Sequence, residues 1–390
     1  MLGIEMSQDT LAGCNVANLV QGSPDSRCPF RNDPKRNSRL WGPISLGLLL
    51  AVLSVSLCHA QGGALNYEVD PTWPKPLPDN WVTGQVSGVC VDSHDHVFIV
   101  NRDNMTDKEA EVSRQAPPFI EFDTDGKVVN SFGDWRTAPN TTHGCTIDSE
   151  DNFWTAGNGD GIIQKYSHDG RLLMQIAKRG VVDTSDGTVK GRALNSSHTQ
   201  LDMPSDIAVD PGNGDVYVSD GYGNSRIVVF DRNGKFLRQW GHQGTKEEAQ
   251  TGVGGAFMQV VHCVALSNDG LVYVCDRQGD RIQVFDKTGR FIKNIWIMRG
   301  RSLPDAWGTT WWIGFSADHD QKYMYVADGG DEQVKILDRA KGEVLSSFGR
   351  PGHQLGEFTH AHTLAVDSKD NVYVAETDWG RRVQKFKPAN

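Results

Sequence analysis

Six stretches of this chain repeat one layout, and a repeat of that kind leaves few folds open. They are "SGVCVDSHDHVFIV" from Ser87, "HGCTIDSEDNFWTA" from His143, "SDIAVDPGNGDVYVSD" from Ser205, "HCVALSNDGLVYVCD" from His262, "WWIGFSADHDQKYMYVAD" from Trp311 and "HTLAVDSKDNVYVAE" from His362. Each reads as a short apolar strand, an Asp/Asn/Gly turn and a strand of alternating apolar residues. Four of the stretches that follow, among them "RIVVFDRNGKFLRQWG" and "RIQVFDKTGRFIKNIW", add a third strand, a D-x-x-G type of turn and a fourth strand. Four strands recurring every roughly 50–60 residues predict the blades of an all-β, six-bladed β-propeller. The sixth unit stops at "RRVQKFKPAN", one strand short. The stretch "ALNYEVDPTW" is expected to supply that strand and remove an open sheet edge.

One position in the repeat carries the chemistry. The residue four places before a fixed apolar position is Ser87, His143, Ser205, His262, Trp311 and His362 in turn. Histidine therefore occupies the second, fourth and sixth units. Alternate blades of a six-bladed ring stand about 120° apart around an axis lined by the inner strands, so three such side chains can meet at one point. Three neutral imidazoles about 2.0–2.1 Å from one ion, with a fourth position open, describe a catalytic zinc site. Copper and iron(II) also accept imidazole. His360 competes with His362, and the shared register selects His362.

Together with these histidines, "SDIAVDPGNGDVYVSDGYGNSRIVVFDRNGKFLRQWG" resembles peptidyl-α-hydroxyglycine α-amidating lyase, an NHL-repeat six-bladed propeller family. The resemblance runs from about Asn66 to Phe386 and is most specific in "SDGYGNSRIV". It implies one zinc on His143, His262 and His362, a catalytic tyrosine at Tyr222 and an active-site arginine at Arg102. In that family zinc meets the substrate's α-hydroxyl, the tyrosine is the base, and the C–N bond breaks to give an amide and glyoxylate. The residue types suit this chemistry. A metal makes a hydroxyl far more acidic, a nearby arginine favours a phenolate, and arginine pairs with carboxylates in a planar fork. The family's calcium-binding aspartate is replaced by Thr363, leaving only carbonyls matching Val89 and Cys145. Calcium prefers carboxylates among six to eight oxygens, so that site is expected to be altered or lost.

Arg31, Lys35, Arg36 and Arg39 precede an apolar run from Ile44 to Leu57 and the small-residue site Cys58-His59-Ala60. The run, at roughly 14 residues, is too short to span a membrane and reads as a secretion signal. Residues 1–60 are thus expected to be an extension with that signal and 61–390 the propeller, secreted or periplasmic and without stable membrane insertion. The net charge of −10, with no basic stripe, argues against nucleic acid as a partner. A small-molecule or peptide substrate and a monomer are expected. Cys90, Cys145, Cys263 and Cys275 follow the signal; a Cys90–Cys145 or a Cys263–Cys275 bridge is compatible with secretion, and spacing alone does not choose between bridges and buried thiols. Two other readings stay open. One is a non-catalytic propeller binding protein or glycan on its rim. The other is a metal-dependent lactonase or esterase, which on this fold would use acidic and Asn ligands in the channel.

Overall fold

The computed structural model describes residues 65–181, 195–299 and 307–389. The expected secretion signal lies outside these residues. Six four-stranded antiparallel sheets follow one another along the chain. Their inner strands are Val86–Val91, Thr142–Ile147, Pro204–Val209, Val261–Leu266, Trp312–Phe315 and Ala361–Val366. Each packs on the inner strand of the next blade, and the last packs on the first, so the ring is closed.

Closure uses the expected strand. Tyr67–Val69 pairs antiparallel with the end of the chain, in the register Tyr67 to Pro388, Glu68 to Lys387 and Val69 to Phe386. The Tyr67 hydroxyl also hydrogen-bonds the Tyr325 hydroxyl of the fifth blade at 2.7 Å. The blades hold together through apolar side chains between them. Between the first and second, Phe98, Phe119, Phe132, Phe153 and Tyr166 form one buried cluster, with the Phe119 and Phe153 rings 4.8 Å apart. The outer turns close over such clusters. Gly170 has a φ of +87°, and a β-carbon there would lie 2.3 Å from Phe132. Only glycine meets both demands.

Two disulfides reinforce the inner ring. Cys90–Cys145 ties the first blade to the second, and Cys263–Cys275 bridges the first two strands of the fourth blade. The cysteines of each pair have Cα atoms 5.8 and 4.9 Å apart, within the reach of a disulfide.

Candidate metal centre and active site

The register that carries the histidines is also the register of a backbone irregularity. Val261 pairs with Asp276 and Val264 with Val274, so His262 and Cys263 together face the one residue Cys275. The same extra residue occurs at His143, and at His362, where Ala361 pairs with Glu376 and Thr363 with Ala375. Ser87 and Ser205 sit in equivalent bulges. A bulge re-aims the side chain it carries. Here it lets a residue at the mouth of the inner strand turn towards its counterparts in other blades.

The three imidazoles meet. His143, His262 and His362 are all buried, and their ring centroids lie 4.8, 4.6 and 5.1 Å apart. One nitrogen of each lies within 4.8 Å of the others. The remaining nitrogens point outward to the next blade. His262 Nδ1 lies 2.6 Å from the Trp311 carbonyl and His362 Nδ1 lies 2.8 Å from that of Ser87. For His143 the equivalent carbonyl, Ser205, faces the ring, although Nδ1 falls short of hydrogen-bond geometry. Trp311, Ser87 and Ser205 are themselves the repeat-register residues of the histidine-free blades. A carbonyl accepting the Nδ1 proton fixes the tautomer and leaves the Nε2 lone pair for an ion.

Burial is also the main reason all three pKa values fall well below the ordinary imidazole value, with neighbouring histidines and arginines adding to it. Neutral rings are the form that binds metal. The donor set therefore fits a zinc-like ion on chemistry as well as position.

Tyr222 reaches the same point from the rim of the third blade. Its hydroxyl lies 3.0 Å from His262 Nε2 and 3.3 Å from His143 Nε2. The loop that carries it, "SDGYGNSR", is anchored at its base by the fully buried Asp220–Arg226 pair, 2.9 Å apart. Gly221 passes so close to the fourth blade that a β-carbon would stand 2.1 Å from the Val261 carbonyl. Glycine is required there by contact with a neighbour.

Arg102 lies beside the cluster, with Nε donating to the Thr142 carbonyl at 3.0 Å and Nη1 to Gln85 Oε1 at 2.7 Å. The guanidinium that holds the tyrosine is a different one. Arg277 Nη1 donates to the Tyr222 hydroxyl at 3.1 Å, and its guanidinium lies 4.6 Å above the Trp311 ring. Arg277 Nε is buried and has no partner among the described residues. Arg102 and Arg277 each follow the last residue of a second strand, Asn101 and Asp276, so the repeat register could have signalled Arg277. His360 is kept out of the cluster by its pairing with Asp378 at 3.1 Å and its contact with the Trp311 ring.

A cleft of about 470 Å³ opens beside the site, lined among others by Gln85, Arg102, Asn104, Trp135, Thr142 and Arg179. At the place expected for a calcium ligand, Thr363 is buried with an unpartnered hydroxyl. The carboxylate at this register belongs instead to Asp206, in the third blade, where it accepts from the Val264 and Ile207 amides.

Comparison with known proteins agrees with the architecture. The family model for the NHL repeat matches residues 201–230. Peptidyl-glycine alpha-amidating monooxygenase B of Xenopus laevis is 28% identical over 343 residues, covering 83% of this chain and 36% of that protein. The chain thus spans about a third of the length of the first curated relatives it matches. Peptidyl-alpha-hydroxyglycine alpha-amidating lyase 1 of Drosophila melanogaster is 24% identical, covering 82% of this chain and 59% of that one. NHL repeat-containing protein 3 of Homo sapiens is 30% identical over 346 residues, covering 83% and 85%. Among solved structures, a streptogramin B lyase superposes with a TM-score of 0.50 over 83% of this chain and 98% of that one, at 13% identity, a likeness of fold alone.

Proposed function

This chain belongs to the NHL-repeat propeller family, and we propose that it is a zinc-dependent C–N lyase within it. The substrate would be an N-acyl α-hydroxyglycine or a related carbinolamide, cleaved to an amide and glyoxylate. The observation that carries the reading is the meeting of three neutral imidazoles with the hydroxyl of Tyr222 at one point. The lyase and monooxygenase names of its relatives support the reaction class.

His143, His262 and His362 would hold the zinc through Nε2. Zinc bound there would polarise and acidify a substrate hydroxyl. Tyr222 is placed to take up that proton at its phenolic oxygen. The Arg277 guanidinium, close to that oxygen, stabilises negative charge on it and orients the ring. Arg102, which lines the adjoining cleft, offers donors to the carboxylate that an α-hydroxyglycine carries. The adjoining cleft would receive the acyl part. Closely packed indoles at Trp311 and Trp312 restrict water around the imidazoles.

Residues 1–60 are proposed as the extension and secretion signal ahead of a propeller formed by 61–390. Two disulfides support export to a secreted or periplasmic location. No helix among the described residues is long and apolar enough to cross a membrane. A calcium ion is not part of the proposal, since Thr363 supplies no charge. The extent of the match to NHL repeat-containing protein 3 favours a second reading, a propeller that binds protein or glycan without catalysis.

One experiment separates the two. The purified chain should contain bound zinc and release glyoxylate from an N-acyl α-hydroxyglycine, and His262→Ala should abolish that release. Equal glyoxylate production by the variant, or none by the wild type loaded with zinc, would defeat the lyase reading.

A further inference from the structure

A second group of acidic and imidazole side chains stands at the junction of the first and second blades, away from the channel. Asp92, Glu121 and His168 offer ligand atoms that all lie within 4.8 Å of one another. His168 Nε2 is 3.2 Å from Glu121 Oε1, and His96 Nδ1 is 2.7 Å from the same oxygen. Asp92 and Glu121 are buried, at 7% and 2% exposure. Asp92 Oδ2 and Glu121 Oε2 are each buried without a hydrogen-bond partner. Among the described residues, the two carboxylates form ion pairs only with His96 and His168.

The repeat shows how unusual this is. Every blade has a turn between its first two strands, and in the second, third and sixth it carries an aspartate equivalent to Asp92. Asp148 is satisfied by Lys165 Nζ at 3.0 Å and Trp154 Nε1 at 2.9 Å. Asp367 receives Asn371 Nδ2 at 2.6 Å and the Tyr373 hydroxyl at 3.0 Å. Strand pairing sets Lys165 opposite Trp154, Lys385 opposite Tyr373 and Glu121 opposite Phe98. In the first blade the donor ring is therefore Phe98, which donates nothing, and the lysine is Glu121, which reverses the charge.

The next blade changes in step. At two other junctions the outer turn sends a cation back to the preceding blade's first turn. Lys287 reaches Asp210 at 2.6 Å, and Arg339 reaches Asp269 at 3.0 Å. The turn residue of the second blade is an imidazole instead, His168, held edge-on to Phe98 with ring centroids 5.6 Å apart. Its backbone carbonyl accepts from Asn130 Nδ2 at 3.1 Å. Asp92 is preset as well, because its Oδ1 accepts the His94 and His96 amides at 2.9 and 2.8 Å and leaves Oδ2 facing the group.

We propose that Asp92, Glu121 and His168 form a second divalent-metal site of the zinc type, pinning the first blade to the second, with His96 orienting Glu121. Two buried carboxylates with no lysine or arginine partner among the described residues call for a compact dication. Mixed imidazole and carboxylate donors suit zinc, while calcium would want more oxygens than the group contains. The site does not touch Tyr222 or the three channel histidines, so it stands apart from the proposed chemistry.

The test is zinc stoichiometry of the chelator-stripped full chain, measured with zinc alone. Wild type should bind two equivalents, and His168→Ala and His262→Ala one each. The double variant should bind none. Glu121→Lys, which recreates the carboxylate–lysine pair of the second blade, should also lose one equivalent yet melt cooperatively. His168→Ala should keep glyoxylate release. Zinc should raise the melting temperature of His262→Ala and leave that of the double variant unmoved. If His168→Ala and Glu121→Lys bind as much zinc as wild type, the proposal fails. Were the channel site itself empty, wild type and His262→Ala would both bind one equivalent and His168→Ala none, which keeps the two readings apart.

Discussion

The contact between Arg277 and Tyr222 can be weighed by removing each side separately and then both. Arg277 Nη1 lies 3.1 Å from the phenolic oxygen, and the arginine is 8% exposed, with the Trp311 ring beneath it. Water has little room to replace it. A hydrogen bond from a charged donor contributes about 1.5–3 kcal/mol. At about 1.36 kcal/mol per tenfold in rate, a bond strengthened as the proton moves onto Tyr222 corresponds to about 10- to 150-fold. Tyr222→Phe should itself lower kcat by about 10²–10⁴-fold, the usual worth of a positioned acid or base. Once the phenolic oxygen is gone, Arg277→Met has that much less to lose. The effects on kcat/KM should therefore fall short of multiplying by about 10- to 150-fold in the double variant. The assay is glyoxylate release at saturating zinc for wild type, the two single variants and the double, with zinc content measured on each. Effects that simply multiply would refute the coupling, and loss of zinc from Tyr222→Phe would refute the assignment of the hydroxyl as base rather than structural support.

Other outcomes follow from single contacts. Gly221→Ala would place a β-carbon 2.1 Å from the Val261 carbonyl, so it should destabilise the fold by about 1–3 kcal/mol, seen as a lower melting temperature, and weaken activity by displacing Tyr222. A variant with unchanged melting and turnover would show that the loop is not held by that approach. Glu332 is pushed up to about 7 chiefly by burial, even though its carboxylate accepts the Ala361 amide at 2.8 Å. Its folded-state value is raised, so the stability its neutral form contributes is full below the ordinary glutamate value and is lost as pH rises through about 7. Glu332→Gln should therefore gain melting temperature over wild type progressively between pH 5 and pH 8, and a constant offset in scanning calorimetry would contradict this.

The ring and the meeting of the histidines could be read from sequence because both follow from periodicity. Once the repeat is aligned, every other inner strand carries histidine at one register, and a six-fold ring sends that register to its centre. The bulges at His143, His262 and His362 that aim the side chains could not be read this way, since an extra residue in a pairing leaves no compositional mark. Tyr222 came from a short loop resemblance; Arg277 shares the repeat register of Arg102, but its contact with a tyrosine 55 positions away forms only where blades three and four are adjacent. Both disulfide pairs stood among the candidates, but spacing alone did not choose between bridges and buried thiols, since Cys90 and Cys145 are neighbours only across a blade boundary. The acidic group at Asp92 joins a turn and a third strand of one blade to the outer turn of the next, and no single stretch of sequence contains it.

Among the described residues the strand pairing that completes the sixth blade is short, Tyr67–Val69 against Phe386–Pro388. During synthesis the first of these segments must wait, as an unpartnered edge, until almost the whole chain has emerged. Tension applied to either terminus would load this short seam ahead of the interior blades, whose four strands are joined by tight turns.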